Sequence, residues 1–217
     1  MILAHWHNLL RQTQIPTDVA EDIEFVASTF NYNASGGSTT LTGIQSGDFV
    51  VAIQGGDAGS ESDTPSGWTN VQNYNAGGVD YRMAYAFSTG TSISYANTFD
   101  EGLVLAAFRG VDSTTPLDVT PNALSADDSN VTSVTPPTIT PTSDKCMIVL
   151  GLVIDDFDKT DATISTGFTT ASFGHQTNIN VGVFYKIQTT AQQESPSAIS
   201  WTGGEAACCG TIALRPA

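Results

Sequence analysis

The second half of this 217-residue chain repeats the first half block by block. The matched segments are 49–53 with 146–150, 67–69 with 167–169, 79–89 with 179–189, and 107–109 with 213–215, at offsets of 97, 100, 100 and 106 residues. Four blocks that keep their order while the offset drifts slowly indicate an internal duplication. Each half is therefore expected to fold as a copy of one unit.

The repeated blocks have the hydrophobic periodicity of β-strands. Tyr81, Met83, Tyr85 and Phe87 alternate with other residues, a pattern typical of a strand with one buried face. Residues 49–53 are a continuous apolar run, typical of a core strand. About four strands with one apolar face need a cover, and the sister half is the natural one. The prediction is an all-β, jelly-roll-like antiparallel β-sandwich of about ten strands, built from two sequence repeats.

Composition divides the chain into an N-terminal arm and the sandwich. The predicted arm is 1–21, and the predicted sandwich is 22–217, made of repeat one (22–112), a connector rich in Pro, Ser and Thr (113–143) and repeat two (144–217). Within the connector, residues 131–139 carry enough Val, Thr and Ile to form an extra edge strand. Prolines are tolerated at an edge because a missing N–H there costs no ladder hydrogen bond.

The arm has an amphipathic pattern and a composition unlike the rest of the chain. Residues 1–17 contain two of the three His residues and no Asp or Glu. Four apolar residues recur at helical spacing and form one stripe, namely Ile2, Trp6, Leu9 and Leu10. Pro16 then ends or redirects the chain. We therefore predict a short helical arm whose apolar stripe either packs on its own domain or docks onto a partner protein.

The charge balance excludes two classes of partner. The chain has 22 Asp and Glu residues against 7 Lys and Arg, which gives a net charge of −15. Nucleic acids and anionic membranes need a basic face, so neither is an expected partner. No apolar run reaches the roughly 20 residues that a membrane helix needs. The N-terminus also lacks the basic start and long apolar stretch of a signal peptide.

The three cysteines do not suggest a disulfide framework, because their number is odd and Cys208 and Cys209 are adjacent. Cys146 and Cys209 lie in apolar runs, where a free thiol behaves as a small apolar side chain. We expect all three to be buried and reduced. The chain is therefore expected to fold in a reducing cytoplasm.

No catalytic constellation stands out in the sequence. His175 is the only His outside the arm, and no Gly-x-Ser-x-Gly nucleophile motif is present. Adjacent acids that could form a carboxylate pair include Asp100 with Glu101 and Asp127 with Asp128. Neighbouring side chains on a strand or loop point apart, which does not suit the paired carboxylates of glycoside hydrolysis. We therefore predict no catalytic residues and no enzymatic activity.

Two acidic loops occupy equivalent positions in the two halves. The first loop precedes residue 67 and contains Asp57, Glu61 and Asp63. The second precedes residue 167 and contains Asp155, Asp156, Asp158 and Asp161. Carboxylates gathered in one loop suit Ca²⁺, although the second loop lacks the glycine and the distal Glu of an EF-hand. A Ca²⁺ site and a solvated turn are the two interpretations, and no other cofactor is expected.

Some conspicuous side chains have a structural interpretation. Trp68 aligns with Phe168 in the repeat, which favours a packing role over sugar stacking. Arg109 and Arg215 end equivalent strands, and we expect them to pair with strand-end acids such as Asp112.

Several short motifs resemble a recurrent domain of phage and bacterial surface proteins. They are Ile-Glu-Phe-Val-Ala-Ser at 23–28, Thr-Thr-Leu at 39–41, Gly-Asp-Phe-Val-Val-Ala at 47–52, Gly-Trp-Thr at 67–69, Ala-Phe-Arg-Gly-Val-Asp at 107–112 and Ala-Leu-Arg-Pro-Ala at 213–217. The resemblance implies a jelly-roll sandwich of the kind found in tail fibres, head spikes and capsid decoration proteins. It implies no catalytic residues, and it favours a homo-oligomer, with a trimer as the expected form.

The first hypothesis is therefore a non-enzymatic virion protein, a capsid decoration, cement or head-spike component. Its arm would attach it to the major capsid protein or to a spike base. Such a protein would be made in the host bacterial cytoplasm and end in the virion. One alternative is a receptor- or glycan-binding module of a tail fibre or adhesin, and another is a carbohydrate-active tailspike-type enzyme.

Overall fold

The computed structural model describes residues 22–33, 37–56, 64–97, 101–155, 159, 161–176 and 178–217. These residues form strands and no helix, so the described part of the chain is all-β, as predicted. The strands are β1 (Glu24–Asn33), β2 (Gly37–Thr42), β3 (Phe49–Gly56), β4 (Thr69–Ala76), β5 (Val79–Phe87), β6 (Ser92–Asn97), β7 (Glu101–Arg109), β8 (Ser125–Val134), β9 (Cys146–Asp155), β10 (Thr169–Gln176), β11 (Ile179–Gln188) and β12 (Ile199–Leu214). The predicted helical arm, residues 1–21, lies outside the described residues.

Ten of these strands form two five-stranded antiparallel sheets, one from each half of the chain. The first sheet has the order β1-β7-β3-β5-β4, and the second has the order β8-β12-β9-β11-β10. The orders become identical when each strand of the first half is replaced by its repeat counterpart, β1 by β8, β3 by β9, β4 by β10, β5 by β11 and β7 by β12. The duplication inferred from the sequence is therefore a duplication of sheet topology.

The segment predicted as a connector, 113–143, contributes a strand to the second sheet. β8 pairs with β12 in the position that β1 takes beside β7. The predicted edge strand exists, but its bounds of 131–139 are wrong, because β8 spans Ser125–Val134. After Thr135 come Pro136 and Pro137, and neither can donate a ladder hydrogen bond.

The strand register corrects one detail of the repeat alignment. Phe49 lies opposite Phe87 in the first sheet, and Met147 lies opposite Ile187 in the second. Since 87 and 187 are matched residues, the counterpart of Phe49 is Met147 rather than Cys146, and the offset of this block is 98 residues rather than 97. A shift of one residue turns every side chain of a strand to the opposite face. The corrected offset is therefore needed to compare the two cores.

The two sheets pack face to face through one apolar core. Its buried members include Phe49, Val51, Ile53, Tyr81, Met83 and Phe108 from the first sheet, and Met147, Val149, Val153, Val181, Val183 and Ile212 from the second. Each sheet thereby covers the inner face of its sister. The arrangement is a β-sandwich of two antiparallel sheets.

Two glycines let equivalent strands of the two halves approach each other inside this core. A Cβ atom on Gly151 would lie 2.5 Å from Ile53 Cδ1, and a Cβ atom on Gly55 would overlap the Val153 side chain. In the corrected register, residue 151 is the counterpart of Ile53, and Val153 is the counterpart of Gly55. At both positions one repeat carries glycine and the other a branched aliphatic residue. A side chain on one sheet therefore fills the space that glycine leaves on the other.

The outer faces of both sheets are covered as well. The strand pair β2–β6 packs over the first sheet, where Leu41 and Tyr95 join a buried cluster with Leu105. Loop residues such as Ile139 cover the second sheet, in a buried cluster that also contains Trp201. The expectation of one apolar face is therefore wrong for the central strands β3 and β9. Burial on both faces explains why these strands are apolar throughout.

Strand pairing within each half is nested. β1 pairs with β7, and β2 pairs with β6, so the first strand lies beside the last and the second beside the second to last. In the second half, β8 pairs with β12. A single bridge between Ile139 and Glu194 occupies the place of the β2–β6 pair. The five-stranded sheet is thus preserved in each half. The strand pair that covers it, β2–β6 in the first half, is reduced to a single bridge in the second half.

A glycine in the left-handed region precedes the first core strand. Gly47 has a φ of 92°, and its counterpart Lys145 has a φ of 61°, the one positive φ of a non-glycine residue in the described part of the chain. No atom lies within 4 Å of a Cβ built on Gly47. Any effect of a side chain at this position must therefore come from the backbone conformation.

Replacing Gly47 with alanine is expected to lower the free energy of unfolding by about 1 kcal/mol, because an L side chain is strained at this φ. Urea-induced unfolding measures the change. Gly90→Ala is the control, since Gly90 has equally open surroundings without a positive φ, and its effect should stay below about 0.5 kcal/mol. Equal losses in the two variants would contradict the backbone argument.

Candidate functional site

A groove runs along the edge strand β4, between this strand and residues 117–124. It has two adjoining parts of about 510 and 480 Å³, a size typical of ligand-binding clefts. The first part is lined by Thr69, Asn70, Val71, Tyr85 and residues 117–121, and the second by Gln72, Asn73, Tyr74 and residues 121–124. Pro121 lines both parts, so the two parts adjoin each other at this residue.

The groove exists because the two halves differ at one edge of the sandwich. In the first half, β1 follows β7 along its length, beginning near the pair Phe25 and Phe108. In the second half, the counterpart of this pair is a single bridge between Leu117 and Leu214. The chain then leaves β12 and resumes regular pairing at Ser125. The departing residues form one wall of the groove.

At the opposite edge of the sandwich, β1 fills the equivalent space. Phe25 stacks on Tyr185 with ring centroids 5.2 Å apart, and the Ser28 hydroxyl donates to the Ala171 carbonyl at 2.7 Å. Tyr185 is the repeat counterpart of Tyr85, which lines the groove instead. The groove is therefore the place where the pseudosymmetry of the two halves is broken.

Hydrogen bonds join the two sides of the groove at its centre and at one end. The Gln72 Nε2 group donates to the Asn122 carbonyl at 2.7 Å. The Tyr74 hydroxyl donates to Asp128 on β8 at 2.6 Å, and the Gly78 N–H donates to the other oxygen of Asp128 at 3.3 Å. The bond to Asp128, helped by burial, raises the pKa of Tyr74 to about 12.

A buried carboxylate, Asp118, holds the start of the groove wall. It accepts hydrogen bonds from Arg215 Nε at 3.0 Å and from the backbone N–H and hydroxyl groups of Thr142 and Ser143. Burial alone would raise the pKa of Asp118, but these bonds outweigh it and lower the pKa to about 2. All the hydrogen bonds to this carboxylate thus come from the protein itself. The bond from Arg215 connects the groove wall to the end of β12.

The two repeat-equivalent arginines find acids in different places. Arg109 binds Asp48 through Nε at 2.9 Å and Nη2 at 3.0 Å, and it also approaches Glu24 at 3.3 Å. Arg215 binds Asp118 as described above. Neither arginine takes Asp112 as its direct partner. Backbone N–H groups of its own turn lower the pKa of Asp112, and the charge of Arg215 contributes to this effect. Both arginines therefore pair with acids that lie far from them in the sequence.

The predicted apolar stripe of the arm lies outside the described residues. It consists of Ile2, Trp6, Leu9 and Leu10. Its packing, and its docking onto a partner, stay predictions.

The predicted Ca²⁺ loop is described only in part, since Asp156 and Asp158 lie outside the described residues. Asp155 is the last residue of β9. Asp161 accepts the Thr202 N–H at 3.0 Å, and bonds from Thr202 lower the pKa of Asp161. In the described ranges, no group of three or more His, Cys, Asp or Glu side chains is placed to hold a metal ion. The Ca²⁺ interpretation therefore stays a prediction.

Two other sequence candidates have structural contacts. The packing role of Trp68 is confirmed, because its ring meets Tyr95 edge-on with centroids 5.0 Å apart and its Nε1 donates to the Ser94 carbonyl. The adjacent acids on β8 serve separate hydrogen bonds. Asp127 accepts the N–H of Ser129 at 2.9 Å, whereas Asp128 binds Tyr74.

All three cysteines are free and buried, as expected. Burial raises the pKa of Cys146 to about 12, and it raises the pKa values of Cys208 and Cys209 as well. Because the thiolate is the reactive form, we expect the native protein at pH 8 to react with Ellman's reagent far more slowly than free cysteine does. Three thiols should then titrate in guanidinium chloride. Rapid reaction of any thiol in the native protein would contradict this expectation.

Sequence reasoning missed the groove. Its two walls come from β4 and from the segment predicted as a connector, and neither contains a recognisable binding motif. One usable signal is the match of Tyr85 with Tyr185, since the aromatic partner of Tyr185 in β1, Phe25, corresponds to the smaller Leu117 in the second half. None of the described residues forms a helix with the length and hydropathy needed for a membrane span. No family model, curated protein or solved structure matches the chain.

Proposed function

We propose that this chain is a non-enzymatic structural component of a phage virion, a capsid decoration, cement or head-spike protein. The observation that carries the proposal is the duplicated sandwich with nested strand pairing. A first strand beside the last, and a second beside the second to last, is the wrapping expected of a jelly-roll-like unit. The motifs that resemble phage surface domains lie in and beside these strands.

The charge distribution supports the same proposal. All 22 acidic residues lie after residue 17, whereas the N-terminal segment is free of acids. An acidic module repels neighbouring acidic modules, which keeps separate oligomers apart on a crowded surface. The arm would supply the attachment to the major capsid protein or a spike base, and the assembled form would be a homo-oligomer such as a trimer.

Counting the copies of the chain on purified particles tests the proposal. Quantitative mass spectrometry should find hundreds of copies per particle for a decoration protein, or a few dozen or fewer for a spike. Complete absence from the particles would contradict a virion role.

Variants of the arm test the mode of attachment. Trp6→Ala combined with Leu10→Ala should lower the number of bound copies, because it removes half of the apolar stripe, whereas His5→Ala should not. Equal copy numbers for the unmodified chain, the double variant and His5→Ala would contradict attachment by the arm. A cryo-EM map with residues 1–17 in solvent would contradict it as well.

The groove favours a second candidate function, a receptor- or glycan-binding module of a tail fibre or adhesin. Its edge position leaves it accessible along β4. A carbohydrate-active tailspike-type enzyme is a further alternative. Incubation with host polysaccharide distinguishes these functions, since only the enzyme shortens the polymer.

A further inference from the structure

We propose that the groove between β4 and residues 117–124 binds a linear, uncharged glycan. The inference does not depend on a virion location, because it rests on the chemistry of the groove alone. The two parts of the groove, about 510 and 480 Å³, lie in line along one strand. Such an elongated shape suits a short chain of sugar rings rather than a single compact ligand.

The groove presents neutral hydrogen-bonding groups and aromatic surface side by side. Its walls carry amides and hydroxyls, from Asn70, Asn73 and Thr120 among others, and these three residues are exposed. Two tyrosines, Tyr74 and Tyr85, contribute half-buried rings. Sugars combine hydroxyl groups with apolar C–H faces. Amide side chains can bond the hydroxyl groups, and aromatic rings can pack against the C–H faces.

The ring of Tyr85 is held in place before any ligand binds. It stacks on Phe49 with ring centroids 4.9 Å apart. At the opposite wall, the bond from Gln72 to the Asn122 carbonyl keeps the backbone of the departing segment in position. Preformed walls lower the entropy cost of binding.

Charge favours an uncharged ligand. Among the residues that line the groove, Asp118 carries a charge. Its carboxylate already accepts hydrogen bonds from Arg215, Thr142 and Ser143. The chain has a net charge of −15, which repels acidic polysaccharides. An unpaired positive group that could attract them is not found among the lining residues.

The strand geometry disfavours an added peptide strand. Peptide addition at a sheet edge uses a regular row of backbone hydrogen bonds. In β4 a bulge between Asn70 and Gln72 interrupts that row. A glycan needs side-chain contacts rather than a continuous ladder, so the bulge does not oppose it.

NMR titration of the ¹⁵N-labelled full chain tests the proposal. The probes are linear hexasaccharides of α-1,4-glucose, β-1,4-glucose, β-1,3-glucose, mannose, galactose and N-acetylglucosamine, each up to about 10 mM, a concentration that detects weak binding. We expect at least one probe to shift the side-chain amide signals of Asn70 and Asn73 in a saturable way. No shift with any probe, or shifts confined to another surface, would overturn the proposal.

Matched variants locate the site. Asn70→Ala should weaken binding of the active probe about three- to tenfold, as expected for one lost hydrogen bond. Thr170→Ala changes the repeat-equivalent exposed position on β10, at the closed edge, and should leave the affinity unchanged. Equal weakening in the two variants would overturn the assignment to the groove. A chain that is abundant on particles yet binds no probe would overturn the glycan site alone, so the two proposals fail separately.

Discussion

Replacing Gly151 with valine is expected to lower the free energy of unfolding by about 3 kcal/mol, because the new side chain has no space in the core. Its Cβ atom would lie 2.5 Å from both Ile53 Cδ1 and the Tyr81 hydroxyl oxygen. Both neighbours belong to the facing sheet, so the clash pushes the two halves of the molecule apart. Urea-induced unfolding measures the loss. Gly90→Val, in open surroundings, is the control and should change little.

A second substitution tests whether the loss comes from this contact. Ile53→Ala alone should cost about 2–5 kcal/mol through the cavity that it leaves. In the Gly151→Val background, valine occupies part of that cavity. The double variant should therefore lose at least about 1 kcal/mol less than the sum of the single variants. Additive losses would mean that residues 53 and 151 do not compete for the same space.

Replacing Asp118 with alanine is expected to cost about 3 kcal/mol. Removal of one partner of a buried ion pair typically costs about 3–5 kcal/mol. We take the low end of that range because the Arg215 side chain is 31% exposed, whereas that of Asp118 is fully buried. Asp127→Ala is the control, since Asp127 is exposed and its bonds are local to Ser129. A loss for Asp118→Ala no larger than that of the control would contradict the anchoring role.

The low pKa of Asp118 also predicts how stability depends on pH. Since the folded protein lowers this pKa to about 2, the folded state favours the ionised carboxylate. The stabilisation should be complete above the unfolded pKa of about 4, and it should be lost as the pH falls towards 2. Unfolding curves between pH 7 and pH 2 should therefore fall less steeply for Asp118→Asn than for the unmodified protein. Parallel curves would contradict the assignment.

The duplication and the strand periodicity could be predicted because both are visible in the order of residues without knowledge of any tertiary contact. Where prediction failed, the local signal was weak. β3 and β9 are buried on both faces, so their apolar runs carry no alternation, and the repeat alignment slipped by one residue there. The first part of β8 is polar and mostly exposed, which makes it look like a loop. Its strand character comes from pairing with β12.

The candidate groove could not be predicted in the same way. It depends on residues 119–124 leaving the sheet after Asp118, and this departure is stabilised by contacts across the fold. Arg215 binds Asp118, and Gln72 binds the Asn122 carbonyl. The composition of the connector, residues 113–143, is rich in Pro, Ser and Thr, which marks this stretch only as irregular. Neither contact leaves a periodic trace in the sequence.

The amino-acid sequence by itself determined an all-β chain made of two related halves. Strand alternation depends on residues close together in the chain, and repeated blocks are recognised by comparing two stretches of sequence directly. The tertiary structure alone decided how the halves fit together. It placed Gly151 against Ile53 and Gly55 against Val153, so that equivalent positions complement each other in volume. It also decided that one edge of the sandwich is filled by β1 while the other is open. Both outcomes depend on volumes and hydrogen bonds between residues far apart in the chain, which only the folded molecule brings together.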